Sequence, residues 1–294
     1  MINRKGDNML RMVEIELYNY CNRVCDWCPN KLLPERQIYA HNISQDVILN
    51  LITDLKRMKY KGYISFSRYN EPFAGCDFND QVFDEDNDYY YMDLLRRELP
   101  LCTFVCNTNG DFLVNKGLIF DPISRRIDEL TIMNYDGLSE EECRARLIDW
   151  GAEPEAIKRV NKGLYTEYNN MKVLYVNWEN WNITNRGGLL EEVAEPRTCR
   201  CLEPHYFIGV NWDGTVSPCC NIRSPREFPQ HEPFCLGNLK EKSLQEMLNS
   251  YIMFRFREQA YHPDKDFGYD LNPCQYCSNA GGRYTREKGG ILYD

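Results

Sequence analysis

The sequence predicts an α/β protein: parallel βαβ units, closed or partly closed, followed by a smaller unit with one hairpin and one helix. Three observations predict it. Short apolar or alternating runs recur between stretches of helical periodicity as far as residue 178. Past about residue 195 that alternation stops, and Trp212-Asp213-Gly214 gives a hairpin signal. The cysteines concentrate toward the two ends of the chain.

Each element follows in order. Residues 13–18 (VEIELY) alternate as a strand does and run straight into Cys21. Ser44 can cap a helix reaching Tyr60, with Val47, Ile48, Leu51, Ile52 and Leu55 on one face and Gly62 as the stop. Residues 63–69 (YISFSRY) read as the second strand. An acidic, aromatic stretch over residues 76–91 reads as an inserted loop, and a helix with Leu94 and Leu95 follows. Strands are predicted at 101–106, 129–133 and 171–178, and helices over 139–150 and 153–161. Residues 205–211 and 215–219 flank the hairpin turn, and one amphipathic helix spans 243–259.

Composition narrows the function. The 294 residues are 43% hydrophobic, enough for a sizeable core. A net charge of −9 disfavours broad phosphate neutralisation and hence general nucleic-acid binding. No apolar run has the length of a membrane span or the form of a signal peptide, so no membrane partner is expected and a cytoplasmic location is. Fourteen cysteines in a reducing compartment point to metal or redox chemistry.

Cys21, Cys25 and Cys28 form C-x3-C-x2-C directly after a strand. Three thiolates on one loop hold three irons of a 4Fe–4S cube and leave the fourth open to a ligand. A zinc loop is the competing reading, but it wants a fourth ligand nearby, and none lies closer than His41 or Cys76. In the C-terminal third, Cys201 and Cys219 bracket the hairpin, and Cys274-x2-Cys277 completes four thiols. Four cysteines suit a closed 4Fe–4S cluster or a zinc ion. Cys199 competes with Cys201 as a ligand, while Cys220 and Cys235 look spare.

These motifs resemble the radical S-adenosylmethionine (SAM) superfamily, whose signature has this first spacing and an aromatic residue before the last Cys. Trp27 fills that place, which implies a position near the SAM adenine. The resemblance implies a partial parallel (β/α)6 barrel over residues 1–195. It implies a twitch domain, a shortened SPASM domain with one auxiliary cluster, over 196–294. Asn70-Glu71-Pro72 stands where relatives carry Gly-Gly-Glu-Pro; the glycines are missing, but Glu71 keeps the carboxylate that faces the SAM ammonium. Asn109, in Thr108-Asn109-Gly110, either faces SAM or substrate or caps the turn. Asn134 stands where relatives place a ribose contact. Asn185-Arg186-Gly187-Gly188 is similar to runs in relatives with a C-terminal cluster domain, which makes Arg186 the catalytic candidate, binding the SAM carboxylate or a substrate hydroxyl, with a surface Arg in a glycine turn as the alternative.

The resemblance implies two 4Fe–4S clusters, SAM, and a flavodoxin- or ferredoxin-type electron donor. It also implies a 5′-deoxyadenosyl radical that takes hydrogen from a substrate carbon, with the auxiliary cluster accepting an electron. The reaction expected is a two-electron oxidation of a small polar molecule such as a cyclitol or sugar alcohol. The alternative is crosslinking, oxidation or epimerisation of a ribosomal peptide; only about twelve residues precede the first strand, too few for a fused leader-binding domain. A non-catalytic zinc module is the third reading. Residues 76–91 and 228–234 stand outside the family pattern and are candidates to line a different substrate pocket.

Overall fold

The structure is a computed structural model that describes residues 10–38, 40–74, 88–115, 120–177, 185–190, 197, 199–263, 265, 273–275, 277 and 278. The first strands are β1 (Met12–Ile15), β2 (Tyr63–Ser65), β3 (Thr103–Thr108), β4 (Glu129–Asn134) and β5 (Lys158–Val160). They are followed by β6 (Gly163–Tyr168), β7 (Met171–Asn177), β8 (Phe207–Val210), β9 (Thr215–Ser217) and β10 (Gly237–Asn238). All ten join one sheet in the order β10-β9-β8-β1-β2-β3-β4-β7-β6-β5.

The stretch β8-β1-β2-β3-β4-β7 is parallel throughout. The expected α/β fold is therefore present. Six strands run side by side, and β8, from beyond residue 195, pairs with β1. The sheet thus continues across the boundary between the two expected units.

Helices cover the sheet as the periodicity requires. In α1 (Gln45–Arg57) the residues Val47, Ile48, Leu51, Ile52 and Leu55 are buried against the core with Ile15, Ile64 and Leu95. The others are α2 (Asp88–Glu98), α3 (Asp111–Asn115), α4 (Phe120–Ser124), α5 (Glu140–Asp149), α6 (Glu203–Tyr206), α7 (Leu244–Leu248) and α8 (Tyr251–Tyr261). Ser139 closes a capping box with Glu142 at the start of α5. Among the described residues no helix is long and apolar enough to cross a membrane.

Two expectations fail locally. Residues 153–161 are not a helix; after one turn at Pro154–Ala156 the chain enters β5, which hairpins through β6 onto β7. Pro154 and Glu155 open a helix well, but Asn169 and Asn170 at φ 48° and 68° form the tight turn that commits this segment to the sheet. The single helix expected over 243–259 is two, because Ser250 accepts the Met253 N–H and starts α8 anew. Cys76, Trp178 and the stretch 75–87 of the expected insert lie outside the described residues.

Candidate active site

The carboxyl ends of the parallel strands open onto one cavity, the usual place for a site in such a sheet. Cys21, Cys25, Cys28, Trp27, Asn70, Glu71, Asn109 and Arg186 all line it. They come from the loop after β1, the ends of β2 and β3, and the turn after β7.

The cysteine loop is strapped down by charge. Arg23 pairs with Asp111 at 2.5 Å and with Asp136 at 2.8 Å, tying the loop to the ends of β3 and β4. Asn22 adds a hydrogen bond to Asp111 at 2.6 Å. Behind it, Asn30 donates to the Tyr69 carbonyl at 2.7 Å. Burial, then the nearby Glu71 carboxylate, pushes the Cys21 thiol up to about 12. Thiols placed so ionise when a cation stands beside them, which matches the chemistry of a thiolate-held iron cluster.

Glu71 is fully enclosed. Thr108 Oγ1 donates to its Oε1 at 2.5 Å, and the Asn109 N–H donates to Oε2 at 2.9 Å. Burial pushes its carboxyl up to about 7, against those hydrogen bonds. The residue before it gives the sharper sign of a ligand. Both Oδ1 and Nδ2 of Asn70 are buried on the cavity wall with no hydrogen-bond partner among the described residues. An amide left so is costly unless something polar fills the space. Trp27 packs on Tyr135 with ring centres 5.5 Å apart, and together they form an aromatic wall.

Asn109 takes the turn-capping alternative, whereas Asn134 is not on the cavity wall. The Asn109 side chain accepts from the Asp111 N–H of its own turn at 2.9 Å and donates to Asn22 Oδ1 of the cysteine loop at 2.8 Å. Asn134 points away from the cavity: it closes the turn to Leu138 with bonds of 2.8 and 3.0 Å and lines a separate pocket beside β5 and β6. Its neighbours Met133 and Tyr135 line the main cavity instead. Residues 228–234 do not line the cavity either; Phe228 stacks on His231, and Phe234 packs edge-on against Phe256.

Cys201, Cys219 and Cys274 belong to one buried cluster in the C-terminal part of the chain. Cys201, Cys219, Cys274 and Cys277 are all buried, whereas Cys199 is exposed. Asn221 donates its backbone N–H to Cys219 Sγ at 3.4 Å and its amide to Cys277 Sγ at 3.3 Å. Donors aimed at sulfur favour thiolates. Burial pushes Cys201 up to about 11, with the neighbouring Cys277 adding to it. Among the described residues no three His, Cys, Asp or Glu side chains converge on a single-ion site. The fit to a cluster rests instead on donor type, burial and the hydrogen bonds to sulfur.

A buried ion network that the sequence reading missed joins the two halves. Arg36 pairs with Glu16 at 2.6 Å and Glu227 at 2.7 Å, and Arg223 pairs with Glu227 at 3.0 Å. Burial opposes charge on Glu16, yet Arg36 and then Arg223 hold it below the usual carboxylate range. Arg68 crosses from β2 to accept this company: it donates to Asn211 at 2.8 Å and to the Ile222 carbonyl. Gly209 permits the crossing, since a β-carbon there would stand 1.9 Å from Arg68 Nη1.

Comparison with known proteins agrees with this geometry. Residues 199–278 match the model of the SPASM family, an iron–sulfur cluster-binding domain. The S-adenosyl-L-methionine-dependent 2-deoxy-scyllo-inosamine dehydrogenase of Niallia circulans is 24% identical over 280 residues, covering 93% of this chain and 94% of that protein. The chain resembles a radical SAM dehydrogenase. Its fold matches the crystal structure of BtrN in complex with AdoMet and 2-DOIA, with a TM-score of 0.66 over 92% of this chain and 93% of that one, at 21% identity. Selenomethionine BtrN in an open conformation matches with a TM-score of 0.56 over 90% and 91% of the two chains, at 19% identity. The SPASM match spans the C-terminal cysteines from Cys199 to Cys277.

Proposed function

We propose that the chain oxidises a small polar molecule by radical SAM chemistry, with Cys21, Cys25 and Cys28 holding one 4Fe–4S cluster and Cys201, Cys219, Cys274 and Cys277 a second. The observation that carries this reading is the cavity at the carboxyl ends of the parallel strands. It joins the first cysteine loop, the Asn70-Glu71 turn and Arg186, and it reaches Cys220, next to the second cysteine group.

When bound there, a reduced cluster with SAM would supply a radical able to take hydrogen from a substrate carbon, and the second cluster would supply an acceptor for an electron. The protein's own residues bind, orient and exclude water. Glu71 offers a carboxylate to the SAM ammonium, held in place by Thr108 and the Asn109 N–H. Asn70 offers one acceptor and two donors to the same end of the cofactor. Trp27, packed on Tyr135, offers one aromatic wall to the adenine. Arg186 holds a substrate hydroxyl. For an alcohol, one hydrogen atom leaves the carbon, one electron and the hydroxyl proton follow, and a carbonyl remains.

The relative's name, a dehydrogenase of 2-deoxy-scyllo-inosamine, favours a small molecule over a peptide. That compound is the first probe to use. The folded variant Cys274→Ala/Cys277→Ala should still convert SAM to 5′-deoxyadenosine slowly and give no oxidised product. Normal product formation by that variant would remove the electron-acceptor role. A probe that neither turns over nor accelerates SAM cleavage in the wild type would move the substrate class elsewhere.

A further inference from the structure

Three successive residues after β7 have left-handed backbone: Arg186 at φ 55°, Gly187 at 67° and Gly188 at 89°. Glycine adopts this freely, and arginine does not, so the turn needs an outside hold on Arg186. Asn185 provides one side of it. Its N–H donates to Ser278 Oγ at 2.8 Å, and the Ser278 N–H and hydroxyl both donate back to Asn185 Oδ1, at 3.0 and 3.2 Å. Gly187 provides the other side. A β-carbon there would stand 3.3 Å from Pro273 Cβ and 3.6 Å from Asn221 Cβ.

These contacts share a source. Ser278 follows Cys277, Pro273 precedes Cys274, and Asn221 hydrogen-bonds the sulfurs of Cys219 and Cys277. The segment around Cys274 and Cys277 has turns but no regular helix or strand among its described residues, so its thiols are its natural anchors. We propose that Asn185 and Ser278 are positioning residues that make the place of Arg186 in the cavity depend on the filled four-cysteine group. The inference rests on the cluster reading given above. An enzyme built this way cannot hold its substrate productively until its second cluster is in place.

The test follows Arg186 directly and needs no substrate. Anaerobically loaded protein is treated with phenylglyoxal, and modification of Arg186 is read by peptide mass spectrometry against exposed Arg125. The loaded wild type should protect Arg186, and chelator-stripped protein should lose that protection. Ser278→Ala should raise the Arg186 rate on the order of tenfold with iron unchanged, as expected when paired hydrogen bonds are lost. Ser278→Thr keeps the hydroxyl and should restore protection. If Ser278→Ala sheds iron, Asn185→Leu takes its place, since it lies outside the cysteine loop. Equal Arg186 reactivity in wild type and an iron-replete variant overturns the proposal. Iron loss in both variants overturns it too, because the pair then belongs to the metal site itself. A wild type that never exceeds about four irons refutes the cluster reading as well, and iron content alone distinguishes that failure.

Discussion

The guanidinium of Arg223 lies 3.7 Å over the ring of Tyr69. Tyr69 immediately precedes Asn70 and Glu71, and its hydroxyl donates to the Cys220 carbonyl at 2.7 Å. Its own carbonyl accepts from Asn30 and Arg36 at 2.7 and 3.1 Å. One side chain thus ties the first cysteine loop, the turn beside it and the second cysteine group together. Arg223 is fully buried, and its partners Glu16 and Glu227 are nearly so.

Removing Arg223 should therefore be expensive. Arg223→Met leaves Glu227 with one fewer partner in a dry site and strips the face of Tyr69. Breaking a buried pair from one side costs about 3–5 kcal/mol. Urea unfolding of loaded protein measures it. A cost below about 1 kcal/mol would show that Arg36 alone satisfies both carboxylates.

His231 gives the fold a pH dependence. It is buried and accepts the Arg223 N–H through Nδ1 at 2.9 Å, so it stays neutral. Burial, then Arg223 and Arg68, push it down from 6.5 to about 4. The unfolded chain takes up this proton first as pH falls. The stability held by neutral His231 is thus complete above about 6.5 and is lost progressively toward about 4. At pH near 5 the loss is on the order of 2 kcal/mol. His231→Gln, which keeps an acceptor, should flatten the decline between pH near 7 and near 5. Parallel declines in both proteins would assign the acid sensitivity to other groups.

Much of this was legible in the sequence because it depends on neighbours along the chain. The first strand, which ends at Ile15 and not at the expected Tyr18, the helix face of Val47, Ile48 and Leu51, and the hairpin at Trp212-Asp213-Gly214 are all local patterns. The β5–β6 hairpin was masked by a good helix start at Pro154, and only pairing with β7 decides it. Glu16, Arg36, Arg68 and Arg223 read as ordinary charges, because the bonds that give them meaning reach far along the chain, 191 residues for Arg36 to Glu227 and 154 for Arg68 to Ile222. Asn109 and Asn134 show the reverse case. Short polar side chains after strands serve turns as readily as ligands, and here both serve turns.

Glu71→Ala should weaken SAM binding without removing either cluster. Losing a charge-assisted bond costs about 1.5–3 kcal/mol, or about ten- to hundredfold in affinity. Thr108 and the Asn109 N–H would also lose their acceptor, so a Glu71→Gln control, which keeps one oxygen, separates packing from charge. Equilibrium binding of SAM to loaded protein is the measurement. An unchanged dissociation constant would place the ammonium elsewhere.

Anaerobic reconstitution should load about eight irons per chain, four at each cysteine group. The Cys21→Ala/Cys25→Ala/Cys28→Ala variant should keep about four, because the buried C-terminal thiols lie apart from that loop. A wild type that saturates at about four irons would leave one group without a cluster.

The most direct test of the whole account is reductive cleavage of SAM. Loaded protein, given SAM and a strong one-electron reductant without oxygen, should produce 5′-deoxyadenosine and methionine in equal amounts. The triple cysteine variant at the first loop should produce neither. Fully loaded wild-type protein that leaves SAM intact, or a triple variant that still cleaves it, would contradict the assignment of Cys21, Cys25 and Cys28 as the catalytic centre.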